Sequence, residues 1–410
     1  MTFSEQLKNY AEVIVKIGLN LQPGQRLTIG ASLEAAPLAR LVAEFAYERK
    51  CKLVDILWHD EELTLIRFKK APRHSFKETS VWRTEALIKT IKEGGAILRI
   101  IGDNPDLLLG QDQKLIDMAQ RAGNQQMAKY RKYSKKDRTN WCIVSAASPA
   151  WAAKVFPNLP VDKQVPALWD AIFAASRMDG NPLLIWQKHI KKILARAGYL
   201  NKKHYQSLHF NGPGTDLIVG LAEKHLWVGS SHKSSGKRKI DFIPNIPTEE
   251  IFTMPDRLKT NGVVTSSKPL CRAGTCLEKF TLTFKNGRVV DIKSERGKKI
   301  LQNLINTDKG SARLGEVALV PQNSPIAQTG LLFYNTLFDE NAATHLALGQ
   351  AFYSNLENGL RLSEKSFTKA GGNSSLVHTD FMIGSAEMNV SGIKKDGTEE
   401  PVMKSGEWAF

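Results

Sequence analysis

A histidine and an aspartate two positions apart, His378 and Asp380, are the residues of this chain best placed to do chemistry. On an extended strand both side chains point to the same face. More acids and a second histidine precede them in three segments: Glu249-Glu250, Glu316 and Asp339–His345. Carboxylates with imidazoles suit zinc, cobalt or manganese, and two adjacent cations need several such ligands. The sequence therefore predicts a site for two divalent metal ions.

Each acid also has an ordinary structural explanation. Glu250 follows Thr248, and a threonine with a nearby glutamate is common where a helix begins. Glu316 lies among apolar residues on a predicted strand, where a carboxylate is costly to bury without a partner. A cation is therefore an attractive neighbour for Glu316.

The histidines have alternatives of the same kind. His345 fits a hydrogen-bonded core histidine on a helix predicted over residues 343–352. His378 and Asp380 fit a structural hydrogen-bonded pair. Because these acids and histidines would then all need separate explanations, a shared metal site is the stronger interpretation.

The composition is that of an ordinary globular protein. The chain has 410 residues, 42% hydrophobic and 24% charged, which suggests two or three domains and a sizeable core. It has no apolar run of about 18 residues, so no transmembrane helix is predicted, and its first residues lack a signal-peptide pattern. The cysteines fit neither a disulfide framework nor a zinc finger, and we interpret them as reduced thiols of a cytoplasmic protein: Cys51, Cys142, Cys271 and Cys276.

A net charge of +16 raises the question of nucleic-acid binding. The positive charge is clustered at 129–138, where Tyr130 and Tyr133 interleave with the cations, and at 233–239. Interleaved tyrosines suit base stacking. Since no nucleic-acid-binding motif accompanies either cluster, solvated loops or helix ends are the preferred interpretation, and no nucleic-acid partner is expected.

The first half of the chain alternates helical and strand patterns. Helices are predicted over 3–18, 33–50 (with Ser32 as its cap), 85–93, 165–178 and 183–197. Strands are predicted over 26–30, 52–58, 96–102 and 140–146. Such alternation implies a mostly parallel sheet with helices on both faces. The glycine spacing of a dinucleotide-binding loop is absent after the first strand.

The pattern changes near residue 200. Short apolar runs follow, with a strong hairpin signal where Asn286-Gly287 joins 280–284 to 288–292. Helical segments recur at 298–305 and 343–352. The sequence thus predicts an α/β N-terminal domain with a mostly parallel sheet, residues 1–200, and an α+β C-terminal catalytic domain, residues 201–410. All the candidate metal ligands lie in the second domain.

Four segments carry a resemblance to a known family: Asn245–Pro255, Arg313–Glu316, Asp339–Gly349 and Val377–Gly384. Together they resemble the thermophilic metalloaminopeptidase family, which includes aminopeptidase T, aminopeptidase S and PepS, and the likeness extends over nearly the whole chain. The resemblance implies a two-domain, homodimeric, leucyl-type aminopeptidase with two co-catalytic metal ions. By motif, the ligands that it implies are Glu250, Glu316, Glu340, His345, His378 and Asp380.

The chain departs from the family pattern at one position. The family usually has a tyrosine seven residues after the motif histidine, and here that position is Phe352, with Tyr353 next to it. Either Tyr353 takes the place of the family tyrosine, or the phenol that would donate a hydrogen bond to the tetrahedral intermediate is missing. Tyr353 is therefore a predicted catalytic residue.

The predicted reaction is hydrolysis of the N-terminal peptide bond of a peptide substrate. Two metals about 3.5–4 Å apart can lower the pKa of a water and polarise the scissile carbonyl, and a metal can also take the free α-amine. Glu249 is the predicted general base, with a solvent-exposed acid as the alternative. Four apolar residues are expected either to line a pocket for a large apolar N-terminal side chain or to belong to the core: Phe252, Met254, Phe381 and Met382.

Two other functions remain compatible with the sequence. The first is another two-metal hydrolase, an amidohydrolase or a phosphoesterase, which would show no preference for a free amine. The second is a basic RNA-associated protein with a vestigial metal site, motivated by the two basic clusters and by Phe352. Such a protein would retain RNA in a salt-dependent manner and lack hydrolase activity.

Overall fold

The computed structural model describes residues 1–134, 136–272 and 275–410. The chain forms two compact units, one of Met1–Lys188 with Ser231–Pro247 and one of His189–Ser230 with Thr248–Phe410. The division into domains at residue 200 remains a prediction. Within the described ranges, none of the helices has both the length and the apolar character needed to cross a membrane.

The α-helices, in chain order, are α1 (Phe3–Val13), α2 (Ala36–Glu48), α3 (Glu61–Lys70), α4 (Val81–Lys92), α5 (Gln113–Ser134), α6 (Pro149–Val155), α7 (Val161–Ala175), α8 (Pro182–Lys203), α9 (Lys298–Ile305), α10 (Pro325–Gln328), α11 (Thr336–Asp339) and α12 (Glu364–Lys369). The strands are β1 (Arg26–Ser32), β2 (Leu53–His59), β3 (Ala96–Ile101), β4 (Trp141–Ser145), β5 (Ser207–Gly212), β6 (Thr215–Leu221), β7 (His232–Lys233), β8 (Asp241–Phe242), β9 (Ile251–Thr253), β10 (Pro255–Thr265), β11 (Leu270–Arg272), β12 (Thr275–Leu277), β13 (Phe280–Lys285), β14 (Arg288–Ser294), β15 (Leu314–Leu319), β16 (His345–Gly349), β17 (His378–Met382), β18 (Asn389–Ile393), β19 (Glu399–Lys404) and β20 (Glu407–Trp408).

The first unit contains a parallel sheet with the strand order β2-β1-β3-β4, as the alternating pattern predicts. Helix α1 begins at a capping box between Thr2 and Glu5 and continues as a π-helical turn to Gly18. Ser32 is the last residue of β1, and its side chain makes no capping hydrogen bond, so the predicted cap is wrong. A one-turn 3₁₀ helix, Leu33–Ala35, starts that segment instead.

Two antiparallel sheets form the second unit's framework. One has the order β14-β13-β10-β6-β5-β18-β19-β20, and the other has the order β17-β16-β15-β9. Side chains from both sheets and from α8 share one hydrophobic core, which includes Phe210, Val264, Leu319 and Leu346. The hairpin predicted around Asn286-Gly287 is confirmed as β13 and β14.

The helix predicted over 343–352 is wrong, because residues 345–349 form strand β16. Leu346 and Leu348 are buried in the core between the sheets, so the apolar spacing belongs to one face of a strand. The polar α5 was missed, and the first basic cluster lies at its C-terminal end, apart from Lys135, which lies outside the described residues. Cys51 and Cys142 are buried free thiols, whereas the side chains of Cys271 and Cys276 also fall outside the description.

Candidate metal centre

The sheet β17-β16-β15-β9 brings the acidic and histidine segments together. Glu316 on β15 pairs with Ala347 on β16, and Ala347 pairs with Asp380 on β17. Residues paired across strands point to the same face of a sheet, as do residues two apart on one strand. Glu316, His345, His378 and Asp380 therefore share one face, which we call the ligand face. Ala347 lies between the two acids on this face and keeps the space above it free of larger side chains.

The opposite face of the same strands is apolar. Val317, Leu346, Leu348 and Phe381 alternate with the residues of the ligand face and are at most 2% exposed, inside the core between the two sheets. Burial of this face fixes the register of the strands, because a slip by one residue would move the acids into the core. The hydrophobic alternation thus positions the polar side chains opposite.

Close backbone packing at Gly315 changes the direction in which the Glu316 side chain points. The pairing of β15 with β16 shifts between Leu314 and Glu316, at Gly315. A Cβ at Gly315 would lie 2.4 Å from the carbonyl oxygen of Gly349 and 2.5 Å from that of Gln350. Only glycine allows this approach, and the irregularity re-aims the residue that follows it.

Imidazole and carboxylate groups converge at Glu316. Its Oε1 lies 3.5 Å from His345 Nε2, and its Oε2 lies 3.6 Å from His378 Nε2. His345 Nε2 is also 3.2 Å from Glu250 Oε2, and His378 Nε2 is 3.2 Å from Asp380 Oδ1. The result is two groups of possible metal ligands that share one residue: Glu250, Glu316 and His345, and Glu316, His378 and Asp380.

Both histidines are oriented through their other ring nitrogen. His345 Nδ1 lies 3.1 Å from the carbonyl oxygen of Ala343, and His378 Nδ1 lies 2.7 Å from that of Gln350. A carbonyl only accepts hydrogen bonds, so each Nδ1 carries the proton in the neutral ring, and the lone pair is on Nε2. Such backbone contacts orient histidine ligands at metal sites.

Glu340, on the one-turn helix Glu340–Ala342, belongs to neither of these two groups, but it interacts electrostatically with Asp380 and Glu250. Burial raises its pKa well above the ordinary value, and the negative charges of Asp380 and Glu250 raise it further. Burial likewise raises the pKa of Glu316. Since two histidines face four carboxylates, the site lacks positive charge.

The histidines reflect the same excess of acid. Burial opposes their protonation, but Glu250 and Glu316 raise the pKa of His345 well above its usual value. Asp380 and Glu316 outweigh burial at His378 and raise its pKa to about 9. Conversely, the pKa of Asp380 is lowered: burial alone would raise it, but the neighbouring His378 reverses the shift.

The donor set fits divalent cations. His345 Nε2 is buried and makes no hydrogen bond with any described residue, although it lies 3.2 Å from a Glu250 oxygen. A buried nitrogen without a hydrogen-bond partner is costly unless something binds it. Mixed imidazole and carboxylate donors suit zinc, cobalt and manganese.

Glu250 and Glu249 lie in the segment that leads into β9. Glu250 precedes a strand and not a helix, so the helix-capping explanation for it is wrong. Glu249 is only 5% exposed, so the solvent-exposed alternative is also wrong. Its carboxylate lies 3.8 Å from His189 Nε2, and its backbone N–H donates to Asn341 Oδ1 over 2.8 Å.

Phe352 and Tyr353 have different surroundings. The centroid of the Phe352 ring is 4.9 Å from that of His378 and 5.9 Å from that of Phe252. The Tyr353 ring stacks on Phe367 at 4.0 Å, within a small hydrophobic cluster. The catalytic role of Tyr353 stays a prediction, and the residue beside His378 is Phe352.

The four expected pocket residues are all buried, but they lie in three different places. Phe252 pairs with Ala318 and Met382 pairs with His345, so both belong to the ligand face. Phe381 belongs to the core between the sheets, and Met254 belongs to the small cluster around Tyr353. For these last two residues the core alternative is therefore the correct one.

Sequence reasoning missed two residues that contact the segment before β9, Asn341 and His189. Asn341 lies inside a predicted motif, directly after Glu340, and this proximity was an available signal. His189 gave no signal, because it lies far from the site in sequence, on α8.

In the second basic cluster, Lys233 pairs with Asp241 at 3.6 Å and Arg238 donates to the carbonyl of Pro23.

The buried carboxylates and imidazoles on this sheet face could hold divalent metal ions, and such ions catalyse hydrolysis in many enzymes. Residues 3–408 match the family described as thermophilic metalloprotease (M29). The chain therefore belongs to this family, and the prediction of a metal-dependent peptidase is confirmed.

Named relatives match over their full length. Aminopeptidase 2 of Geobacillus stearothermophilus is 47% identical over 410 residues, which cover 100% of this chain and 98% of the relative. Aminopeptidase AmpS of Bacillus subtilis is 44% identical, with 100% of each chain covered. The solved structure of wild-type AmpT from Thermus thermophilus has a TM-score of 0.94 and 42% identity, again over 100% of each chain. A mixed α/β fold is thereby confirmed.

Proposed function

We propose that this chain is an aminopeptidase that removes N-terminal amino acids from peptides with the aid of two divalent metal ions. The observation that carries the proposal is the pair of three-residue groups that share Glu316 on the ligand face. The names of the relatives, all aminopeptidases, agree with it. In this proposal the catalytic groups belong to the α+β C-terminal domain, residues 201–410, and residues 1–200 form an α/β domain.

The proposed ligands are the six residues Glu250, Glu316, Glu340, His345, His378 and Asp380. Glu316 directs one oxygen toward each histidine and belongs to both groups, so it would help to hold both ions. When bound, two divalent ions supply Lewis acidity to the scissile carbonyl and lower the pKa of a water. Zinc, cobalt and manganese are the proposed metals.

Glu249 is the proposed proton acceptor. It follows Thr248, whose carbonyl oxygen lies 2.8 Å from His189 Nε2, and its own carboxylate lies near the same imidazole. Arg196 also attracts this carboxylate. A carboxylate held beside the proposed ligands can take a proton from the attacking water and pass it to the leaving amine. Tyr353 remains the proposed donor to the tetrahedral intermediate.

A large apolar N-terminal residue is the proposed preference of the site. Phe252 and Met382 lie on the ligand face, and the ring of Phe352 contacts His378, so the surroundings of the carboxylates are apolar. Leucine-like side chains would lose contact with water there. Acidic N-terminal residues would meet the carboxylates and be repelled. We also propose that the protein acts as a homodimer in the cytoplasm.

A metal-restoration assay tests the proposed function. The protein is stripped with a chelator and assayed on leucine p-nitroanilide after zinc, cobalt or manganese is restored, with N-acetyl-leucine p-nitroanilide in parallel. We expect metal-dependent cleavage of the first compound only, because acetylation removes the free amine. Equal cleavage of both would assign the site to another amidohydrolase, and cleavage that does not need metal would contradict the proposal.

A further inference from the structure

One buried amide connects two of the segments that carry acids. Asn341 is fully buried, and its Oδ1 accepts a hydrogen bond from the backbone N–H of Glu249 over 2.8 Å. Its Nδ2 donates to the carbonyl oxygen of Leu337 over 2.9 Å. The backbone carbonyl oxygen of Asn341 accepts from Ser324 Oγ over 3.3 Å. Both ends of the side chain are thus bonded, and the bond with Glu249 joins residues 92 positions apart in sequence.

The position of Asn341 gives these bonds a consequence for the site. Glu340 immediately precedes Asn341, and Glu250 immediately follows Glu249. The Glu249–Asn341 bond therefore fixes the Glu250 segment against the Glu340 turn. Glu340 and Glu250 repel each other electrostatically. A neutral amide holds the two backbones together without neutralising either acid.

We propose that Asn341 is a positioning residue that holds Glu250 and Glu340 in place for metal binding. The inference rests on the proposed function, because it takes both acids as ligands. The free energy of holding these two acid segments side by side is then offset during folding by the buried amide hydrogen bonds. Metal binding then does not have to supply this free energy, so the metal ions bind more tightly. Asn341 itself contributes no ligand atom.

Metal affinity is the property that separates this role from ordinary structural support. The full-length protein is stripped with a chelator and titrated with zinc in competition with a chromophoric chelator. For Asn341→Ala we expect zinc affinity to fall about 10–100-fold, the usual range for a residue that orients metal ligands. Cleavage of leucine p-nitroanilide should fall in dilute zinc and recover in excess zinc.

The matched control is Asn140→Ala in the first unit. Asn140 is also fully buried and bonded at both ends of its amide, to Leu19 and Gln25. We expect this variant to lose thermal stability and to keep wild-type zinc affinity. If Asn341→Ala lowers the melting temperature but binds zinc as tightly as the wild type, Asn341 is only a structural residue and the inference is overturned.

Asn341→Leu keeps the test valid if the alanine variant does not fold. It preserves most of the volume but can neither accept from the Glu249 N–H nor donate to the Leu337 carbonyl. A fall in zinc affinity supports the inference, whereas an affinity equal to that of the wild type overturns it. The wild-type titration tests the proposed function separately. If the wild-type protein binds no zinc, the proposed function is contradicted before any variant is compared.

Discussion

The two faces of the sheet β17-β16-β15-β9 are built from alternate residues of the same strands and have opposite characters. On one face lie Glu316, His345 and Asp380, and on the other lie Val317, Leu346 and Phe381. The apolar face contributes stability and fixes the register. The ligand face does the reverse, because it concentrates acids that repel each other and are costly to bury. The proposed metal ligands thus lie on the face that contributes less to the stability of the fold. Substitutions can test each face separately.

The largest effect is expected from the ligand face. Glu316→Gln should lower kcat/KM for leucine p-nitroanilide by more than about a thousandfold, roughly 4 kcal/mol of transition-state stabilisation. The variant replaces a carboxylate whose two oxygens face the two histidines with a neutral amide. Because burial raises the pKa of Glu316, loss of its charge should leave the metal-free protein equally stable or more stable.

Urea unfolding of the metal-free protein measures the second part of this prediction. Glu387→Gln, at an exposed position, removes the same charge away from the ligands and should change neither property. A large loss of metal-free stability in Glu316→Gln would mean that the two faces do not divide their roles in this way.

On the apolar face, Leu319→Ala should have the opposite result. Leu319 is completely buried between the sheets, so truncation should reduce the free energy of unfolding by about 2–5 kcal/mol. Turnover of the folded protein with saturating metal should stay within about twofold of the wild type. Leu319→Met, which retains most of the volume, should cost less than about 1.5 kcal/mol. A parallel loss of turnover in Leu319→Ala would show that the apolar face also governs catalysis.

Metal removal should act through the ligand face alone. A cation that binds only the folded protein stabilises it by about 2.7 kcal/mol at a hundred times its Kd. Chelator should therefore lower the melting temperature of the wild type and of Leu319→Ala by similar amounts. In Glu316→Gln the decrease should be much smaller. An equal decrease in all three proteins would place the stabilising metal elsewhere.

The same alternation explains how much the sequence could predict. The spacing of His378 and Asp380 predicts a strand with both side chains on one face, and β17 confirms it. At His345 the sequence misled, because it places the apolar residues Leu346, Leu348 and Phe352 on a predicted helix. Pairing with β15 and β17 decided the outcome, and pairing between distant segments cannot be read from local periodicity. The hydrogen bond from the Glu249 N–H to Asn341 likewise joins segments that are far apart in sequence, so local periodicity could not predict it.

The smallest predicted effect concerns the edge of the ligand face, at Phe352. The ring of Phe352 already contacts His378, so Phe352→Tyr would add a hydroxyl group beside the proposed ligands without disturbing the packing. A phenol that donates to the developing oxyanion should raise kcat about tenfold, or roughly 1.4 kcal/mol, with little change in KM. Steady-state kinetics on leucine p-nitroanilide measure this.

Tyr353→Phe is the matched comparison for that substitution, because it removes the neighbouring phenol and keeps the ring. Tyr353 stacks on Phe367 within the small hydrophobic cluster, and burial raises the pKa of its hydroxyl. A gain in Phe352→Tyr would identify position 352 as the place from which a phenol reaches the reaction. A loss of kcat in Tyr353→Phe without a gain in Phe352→Tyr would instead assign the donor to Tyr353, and the ligand face would then depend on a residue that packs among apolar side chains.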